Sequence, residues 1–389
     1  MSSRFRLLPV LLACTLVACG LAVLAQSQAH ARPQAQAQPR TGSPEARAAV
    51  SGGLIVGLAS GAAGYGGRST EPQLKSLMTT NAQWFRDQFW WNKIEPRPGH
   101  FNFSYYDHYM LAIARLHLHV VPELVGSPRW AAPSPTALPT HPSSFGEFVA
   151  AILHRYGKGG TFWARHPTLR GSAVTAVELW NEPYFASGNG GHYDPAVYAD
   201  MVRSAGIRGH RVDPSAELLL EAEMESTLTH GYWVWWVDAL YKAVPSLNRY
   251  FNGVSMHDFG SEVTQLSPIR YGEPYPNFGR IRRIVNLRQQ FVRHGAARKP
   301  FWIMESGWST CTQHVIDCTT PAKQARNLGI LFNDVRGHWQ SWVQAVFVYR
   351  YEDGFPSDSV QGGYGLVYAN GKPKPALQVF KLQAGDTGR

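Results

Sequence analysis

The segment Trp180-Asn181-Glu182-Pro183 closes the apolar run "AVTAVELW" with an amide and an acid. A strand interior gains nothing from either, and Pro183 would remove a ladder hydrogen bond, so the strand ends here. A second acid, Glu305, closes the run "PFWIMES". Two carboxyls held at strand ends suit the cleavage of a glycosidic bond. One, protonated, delivers its proton to the leaving oxygen; the other, ionised, attacks the anomeric carbon or activates water. Partial burial and neighbouring negative charge are expected to raise the pKa of the proton donor, while nearby donors keep its partner ionised.

Other polar and aromatic residues fall at comparable positions. Arg86 lies in "AQWFRDQ", and His257 and Asp258 end "FNGVSMHDF". Substrate contact is the reading for His257, and also for Trp130 in "SPRWA", which could stack on a sugar or fill the core. Glu221, Glu223 and Glu225 alternate, so they either line a cleft or meet the basic surface. His117 and His119 in "LHLH" have metal-pair spacing but precede their strand, and no metal is expected there. The Gly-rich "GAAGYGGRS" lacks dinucleotide spacing and reads as a loop.

These residues need a scaffold that gathers strand ends at one rim. Eight short runs rich in Val, Ile, Leu and Phe begin at "GLIVGL" (53–58) and end at "VQAVFVYRY" (343–351), as strands buried on both faces should. Helical signals separate them. Ser144 and Glu147 have capping-box spacing ahead of Phe145, Phe148, Val149, Ile152, Leu153 and Tyr156 on one face, with Gly157 as the stop. Asp194-Pro195 and Thr320-Pro321 each pair an N-cap with a proline at the first helical position. Tyr106, Tyr109, Met110 and Ile113 mark a further apolar face. Eight strand–helix units without a second composition break predict an α/β chain forming one (β/α)8 TIM barrel over residues 51–389. Such barrels build their sites at the C-terminal strand ends, where these acids fall.

The motifs resemble those of clan A retaining glycoside hydrolases, nearest to families 39 and 5, and the likeness covers nearly the whole chain after residue 50. "ELWNEP" is similar to the clan's fourth-strand motif, which implies Glu182 as acid/base and Asn181 as a ligand of the sugar 2-hydroxyl. "FWIMESGWS" resembles the seventh-strand motif, which implies Glu305 as nucleophile. Arg86 matches the second-strand arginine that supports the nucleophile. "RYGKGGTFWARHP" and "GYGLVYANGKPKPA" also look like these enzymes. Two positions depart from the pattern: Phe259 stands where a tyrosine often donates to the nucleophile, and Tyr349 where tryptophan is usual. Without that tyrosine, Arg86 or a following Tyr271 or Tyr275 must support Glu305. The resemblance implies a secreted, metal-independent retaining β-glycosidase acting on oligo- or polysaccharides, with no cofactor. A non-catalytic carbohydrate-binding pseudoenzyme and a transglycosylase are the alternatives.

Composition fits this reading. The chain has 389 residues, 44% of them hydrophobic, with Trp 13, Tyr 17 and Phe 18, more aromatics than a core needs. Arg4 and Arg6 before an apolar run, then Ala29 and Ala31, read as a secretory signal over residues 1–31. Cys19 in "LVAC" offers lipid attachment as the alternative. Residues 32–50 are Pro-, Ala- and Gln-rich and read as a disordered lead-in. Outside the leader only Cys311 and Cys318 remain, a disulfide pair in an oxidising compartment. With His314 alone nearby they make an incomplete zinc set. The net charge of +10 includes the leader arginines. No basic run or recognition motif points to nucleic acid.

Overall fold

The computed structural model describes residues 53–59, 70–185, 189–224, 226–229, 232–259, 281–313, 318–354 and 356–385. The leader, the lead-in, Glu225, His314, Tyr271 and Tyr275 lie outside the described residues. Eight parallel strands close into a barrel: β1 (Ile55–Ala59), β2 (Trp84–Trp90), β3 (His119–Val125), β4 (Ala176–Leu179), β5 (Glu217–Glu221), β6 (Gly253–Phe259), β7 (Phe301–Gly307) and β8 (Val343–Tyr349). Each strand pairs with its neighbours in sequence, and β8 closes onto β1 with Ile55 opposite Ala345. This is the (β/α)8 TIM barrel expected. One element was not foreseen: an antiparallel hairpin, Ser226–Thr229 with Tyr232–Trp235, follows β5.

Side chains alternate along each strand, so every second residue enters the barrel. At the N-terminal end Trp84 stacks on His119, ring centroids 4.6 Å apart. Above them Ala59, Val121, Ala176, Leu219, Met304, Ala345 and Phe347 fill the middle. Gly57 is dictated by this filling, because a Cβ there would sit 2.5 Å from the Phe347 ring. The outer faces of the strands pack on the helices in a second, larger core. In Pro142–Tyr156 the foreseen face from Phe145 to Tyr156 is buried throughout. The Ser144–Glu147 capping box does not form. The helix begins three residues earlier, at Pro142, whose preset φ suits a first helical position, and His141 is the N-cap without a side-chain bond. Asp194 and Thr320 do cap, accepting from the N–H groups of Val197 at 3.2 Å and Lys323 at 3.3 Å.

Candidate active site

The apolar filling stops at the C-terminal end, where the next inward positions carry Arg86, Glu123, Glu178, Glu221, Ser255 and His257, all buried. Removing so many ionisable groups from water is costly, and pairing seldom repays it beyond what apolar side chains would give. A barrel built only for stability would continue its apolar layers, so this layer points to function.

Two backbone irregularities add the outer acids. In β7, Met256 of β6 faces Ile303, but His257 faces Glu305, so Met304 is an extra residue in the ladder. This bulge turns Met304 and Glu305 inward in succession, a common use of bulges beside active sites. After β4 the chain enters left-handed conformations at Trp180 (φ 84°) and Glu182 (φ 47°), rare for residues with a Cβ. Trp180 is anchored, fully buried, edge-on to Phe145 at 5.8 Å. The turn leaves Glu182 at the mouth with its side chain 28% exposed.

Arg86 is the hub. Its Nε donates to Glu178 Oε2 and its Nη1 to Glu305 Oε1. Nη1 also lies 3.2 Å from Glu123 Oε2, and Nη2 donates to Asn181 Oδ1 at 3.2 Å. The planar guanidinium can serve these partners at once, as an ammonium could not. His257 joins the two outer acids: Nδ1 is 3.0 Å from Glu182 Oε1 and 4.0 Å from Glu305 Oε2. The sum of those lengths bounds the separation of these two oxygens. That bound admits the retaining spacing of about 5–5.5 Å and leaves out most of the about 6.5–9.5 Å range of inverting pairs.

Electrostatics divide the acids. Burial pushes Glu123 up to about 8, and it pushes Glu221 well above the carboxylate range. Burial would also raise Glu178, but Arg86 and His257 hold it low. For Arg86, burial works against the charge, yet Glu123, Glu178 and Glu305 outweigh it and keep the guanidinium firmly protonated. Glu305 is raised by burial, against the opposing pull of His257 and Arg86. Burial would raise Glu182 too, but the hydrogen bond and charge of His257 hold it below the ordinary range. This corrects the expectation that the proton donor would be the raised acid. Of the two outer acids Glu182 is the depressed one, because it bonds directly to His257 Nδ1 and Glu305 does not.

The state of His257 decides that balance. Burial lowers its pKa, but Glu305 and Glu221 raise it, leaving it well above the usual imidazole value. Its closest Nε2 contact points the other way: Arg86 Nη2, at 3.1 Å, can only donate. The carboxylates of Glu221 and Glu178 lie farther from Nε2, at 3.3 and 3.6 Å. The Arg86 contact thus favours the neutral tautomer and the surrounding acids favour the imidazolium, and in both states Nδ1 carries the proton that faces Glu182.

The remaining candidates have other partners. The Trp130 indole donates to the Glu95 carbonyl at 3.0 Å and meets Trp91 edge-on at 5.5 Å. Tyr349 is edge-on to Phe259 at 5.4 Å, and both meet Tyr364, forming an aromatic group at the ends of β6 and β8. His119 belongs to the opposite end of the barrel, stacked on Trp84. Cys311 and Cys318 form a disulfide, Cα atoms 5.0 Å apart, beyond the end of β7. Glu178, Glu221 and His257 bring donor atoms within 4.8 Å of one another, a grouping able to hold a cation. Arg86 already places a fixed positive charge on Glu178 and beside His257, which opposes a second cation there.

No protein-family model matches the chain, and no curated protein sequence matches it. Solved structures do. A family 39 glycoside hydrolase from the gut symbiont Bacteroides cellulosilyticus WH2 aligns with a TM-score of 0.61 at 18% identity, over 86% of this chain and 64% of its own length. A GH39 β-xylosidase from Caulobacter crescentus aligns at 0.58 and 16%, over 87% and 73%. Xylanase 10B from Thermotoga maritima aligns at 0.55 and 14%, over 86% and 95%. The chain thus spans less than two thirds of the Bacteroides protein. Its resemblance to clan A glycoside hydrolases, first seen in short motifs, extends to the whole barrel fold.

Proposed function

We propose that this protein is a secreted retaining β-glycosidase that hydrolyses O-glycosidic bonds of oligo- or polysaccharides, with Glu182 as acid/base and Glu305 as nucleophile. The observation that carries the reading is the pairing of Glu182 and Glu305 across one imidazole nitrogen at the barrel mouth. Glu305 Oε1 is occupied by Arg86, which favours its ionised form and leaves Oε2 to attack the anomeric carbon. Glu182 protonates the departing oxygen in the state in which His257 is neutral and its Nδ1–H bond carries no full charge. Deprotonated in turn, Glu182 activates the water that releases the sugar from Glu305. Asn181, oriented by Arg86, is poised to bind a sugar hydroxyl. No step calls for a metal or cofactor.

The test is hydrolysis of a panel of aryl β-glycosides, with the anomer of the first-formed product followed by NMR. A β-anomer supports the reading, whereas an α-anomer would mean inversion. Binding of glycans without turnover would identify a carbohydrate-binding pseudoenzyme. Sugar transfer outpacing hydrolysis would identify a transglycosylase.

A further inference from the structure

Glu221, at the end of β5, has no part in bond cleavage, yet it grips Glu182 at both ends. Its Oε2 accepts the backbone N–H of Glu182 at 2.7 Å. Its Oε1 lies 3.3 Å from His257 Nε2, and the opposite ring nitrogen lies 3.0 Å from Glu182 Oε1. Tyr184, two residues beyond Glu182, donates to the same Oε1 at 3.4 Å. The carboxylate is itself fixed. Glu221 N–H donates to the Tyr198 hydroxyl at 2.8 Å, and that hydroxyl donates to the Leu179 carbonyl at 2.7 Å, tying the ends of β4 and β5. Among the described residues the charged and titratable groups around it are Glu178, Glu182, Arg86, His257, Tyr184 and Tyr198, and the side chain is wholly buried.

The left-handed backbone at Glu182 explains why such a grip is needed. A glutamate reverts readily from φ 47° to the ordinary helical or extended regions, and either move would swing its carboxyl away from the mouth. Resting on the reading of Glu182 as acid/base, we infer that Glu221 is a positioning residue that holds Glu182 in proton-donating geometry. Its reach matters here more than its charge.

Two conservative variants separate reach from charge. Glu221→Asp keeps the carboxylate but withdraws it by one methylene from the Glu182 amide. Glu221→Gln cannot ionise but keeps an oxygen at the original distance. Both are assayed on aryl β-glycosides of graded leaving-group acidity. General acid catalysis contributes about 10²–10⁴-fold where the leaving group is poor. Glu221→Asp is therefore expected to lose about 10–100-fold in kcat/KM on phenyl-type leaving groups and less than about 3-fold on dinitrophenyl ones. Glu221→Gln should fall less than Glu221→Asp on phenyl-type leaving groups, with the same dependence on leaving-group acidity. A uniform fall for Glu221→Asp, or Gln more damaging than Asp, overturns the inference. A crystal structure of Glu221→Asp gives a readout independent of turnover: Glu182 should leave its left-handed φ and its contact with His257. An unmoved Glu182 overturns the inference too. A wild-type protein inactive on every glycoside would instead sink the proposed function, and the crystallographic result would still decide the role of Glu221.

Discussion

His257 Nδ1 and Glu182 Oε1 are 3.0 Å apart, the one direct bond between the imidazole and the outer acids. It biases both titrations, because His257 lowers the pKa of Glu182 and of Glu305. In a bell-shaped profile the nucleophile must be ionised, which sets the acidic limb, and the acid must be protonated, which sets the alkaline limb. Removing the imidazole lets both pKa values rise. His257→Gln is therefore expected to move both limbs of the kcat/KM profile to higher pH, with a fall in the maximum. The limbs describe the coupled pair rather than either residue. A profile that narrows, or shifts to lower pH, would contradict the assignment.

Glu182 and Glu305 should fail in different ways. Glu305→Gln has no carboxylate to form the glycosyl-enzyme intermediate, so turnover should disappear while the fold remains. Glu182→Ala should lose about 10²–10⁴-fold on poor leaving groups and little on very acidic ones, which need no proton in the first step. Azide should then replace water in the second step and give a β-glycosyl azide, identified by NMR. An α-azide, or an active Glu305→Gln, would reverse these roles.

Arg86 is bonded to Glu178, Glu305 and Asn181 through all three guanidinium nitrogens. A lysine delivers a point charge without that planar fork. Arg86→Lys should cost most of the activity and raise the acidic limb, because Glu305 loses a partner that favours its ionised form. Arg86→Ala leaves several buried carboxyls uncompensated and should destabilise the fold by about 3–5 kcal/mol. Paired pH–rate profiles and denaturant melts of the two variants check this. An unchanged profile in Arg86→Lys would shift the support of Glu305 to other residues.

The barrel was legible because parallel strands buried on both faces read as apolar runs, and a charged residue closing such a run stands out. Glu182 and Glu305 were found that way. Glu123 and Glu178 were not, since one acid inside an apolar run does not reveal which face it takes until the register is known. Glu221 was seen as one of an alternating set, and only its placement against the Glu182 amide gives it meaning. The bulge at Met304 left no local signature, because Ile303, Met304 and Glu305 read equally well as an ordinary strand. The depressed pKa of Glu182 depended on a contact between the ends of β4 and β6, which no local pattern contains.

Lys374 ties the disulfide segment to the barrel rim. Its Nζ, fully buried, lies 2.6 Å from Asp353 Oδ1 and donates to Thr310 Oγ1 at 2.7 Å and to the Gly363 carbonyl at 3.1 Å. Thr310 adjoins Cys311, so the ion pair and the disulfide brace the chain that leaves β7 just after Glu305. A crosslink closing so short a loop contributes about 2–3 kcal/mol in the chain-entropy model. Removing one partner of a buried ion pair costs about 3–5 kcal/mol, since the other charge is left unpaired. Cys311→Ser with Cys318→Ser should therefore lower stability less than Lys374→Met does. Asp353→Asn combined with Lys374→Met should recover part of the second loss, because no buried charge then lacks a partner. Denaturant unfolding of the three variants measures the order, and mass spectrometry of unreduced protein should find the Cys311–Cys318 peptide. If the double replacement is no more stable than Lys374→Met alone, the ion pair does not brace this segment by charge compensation.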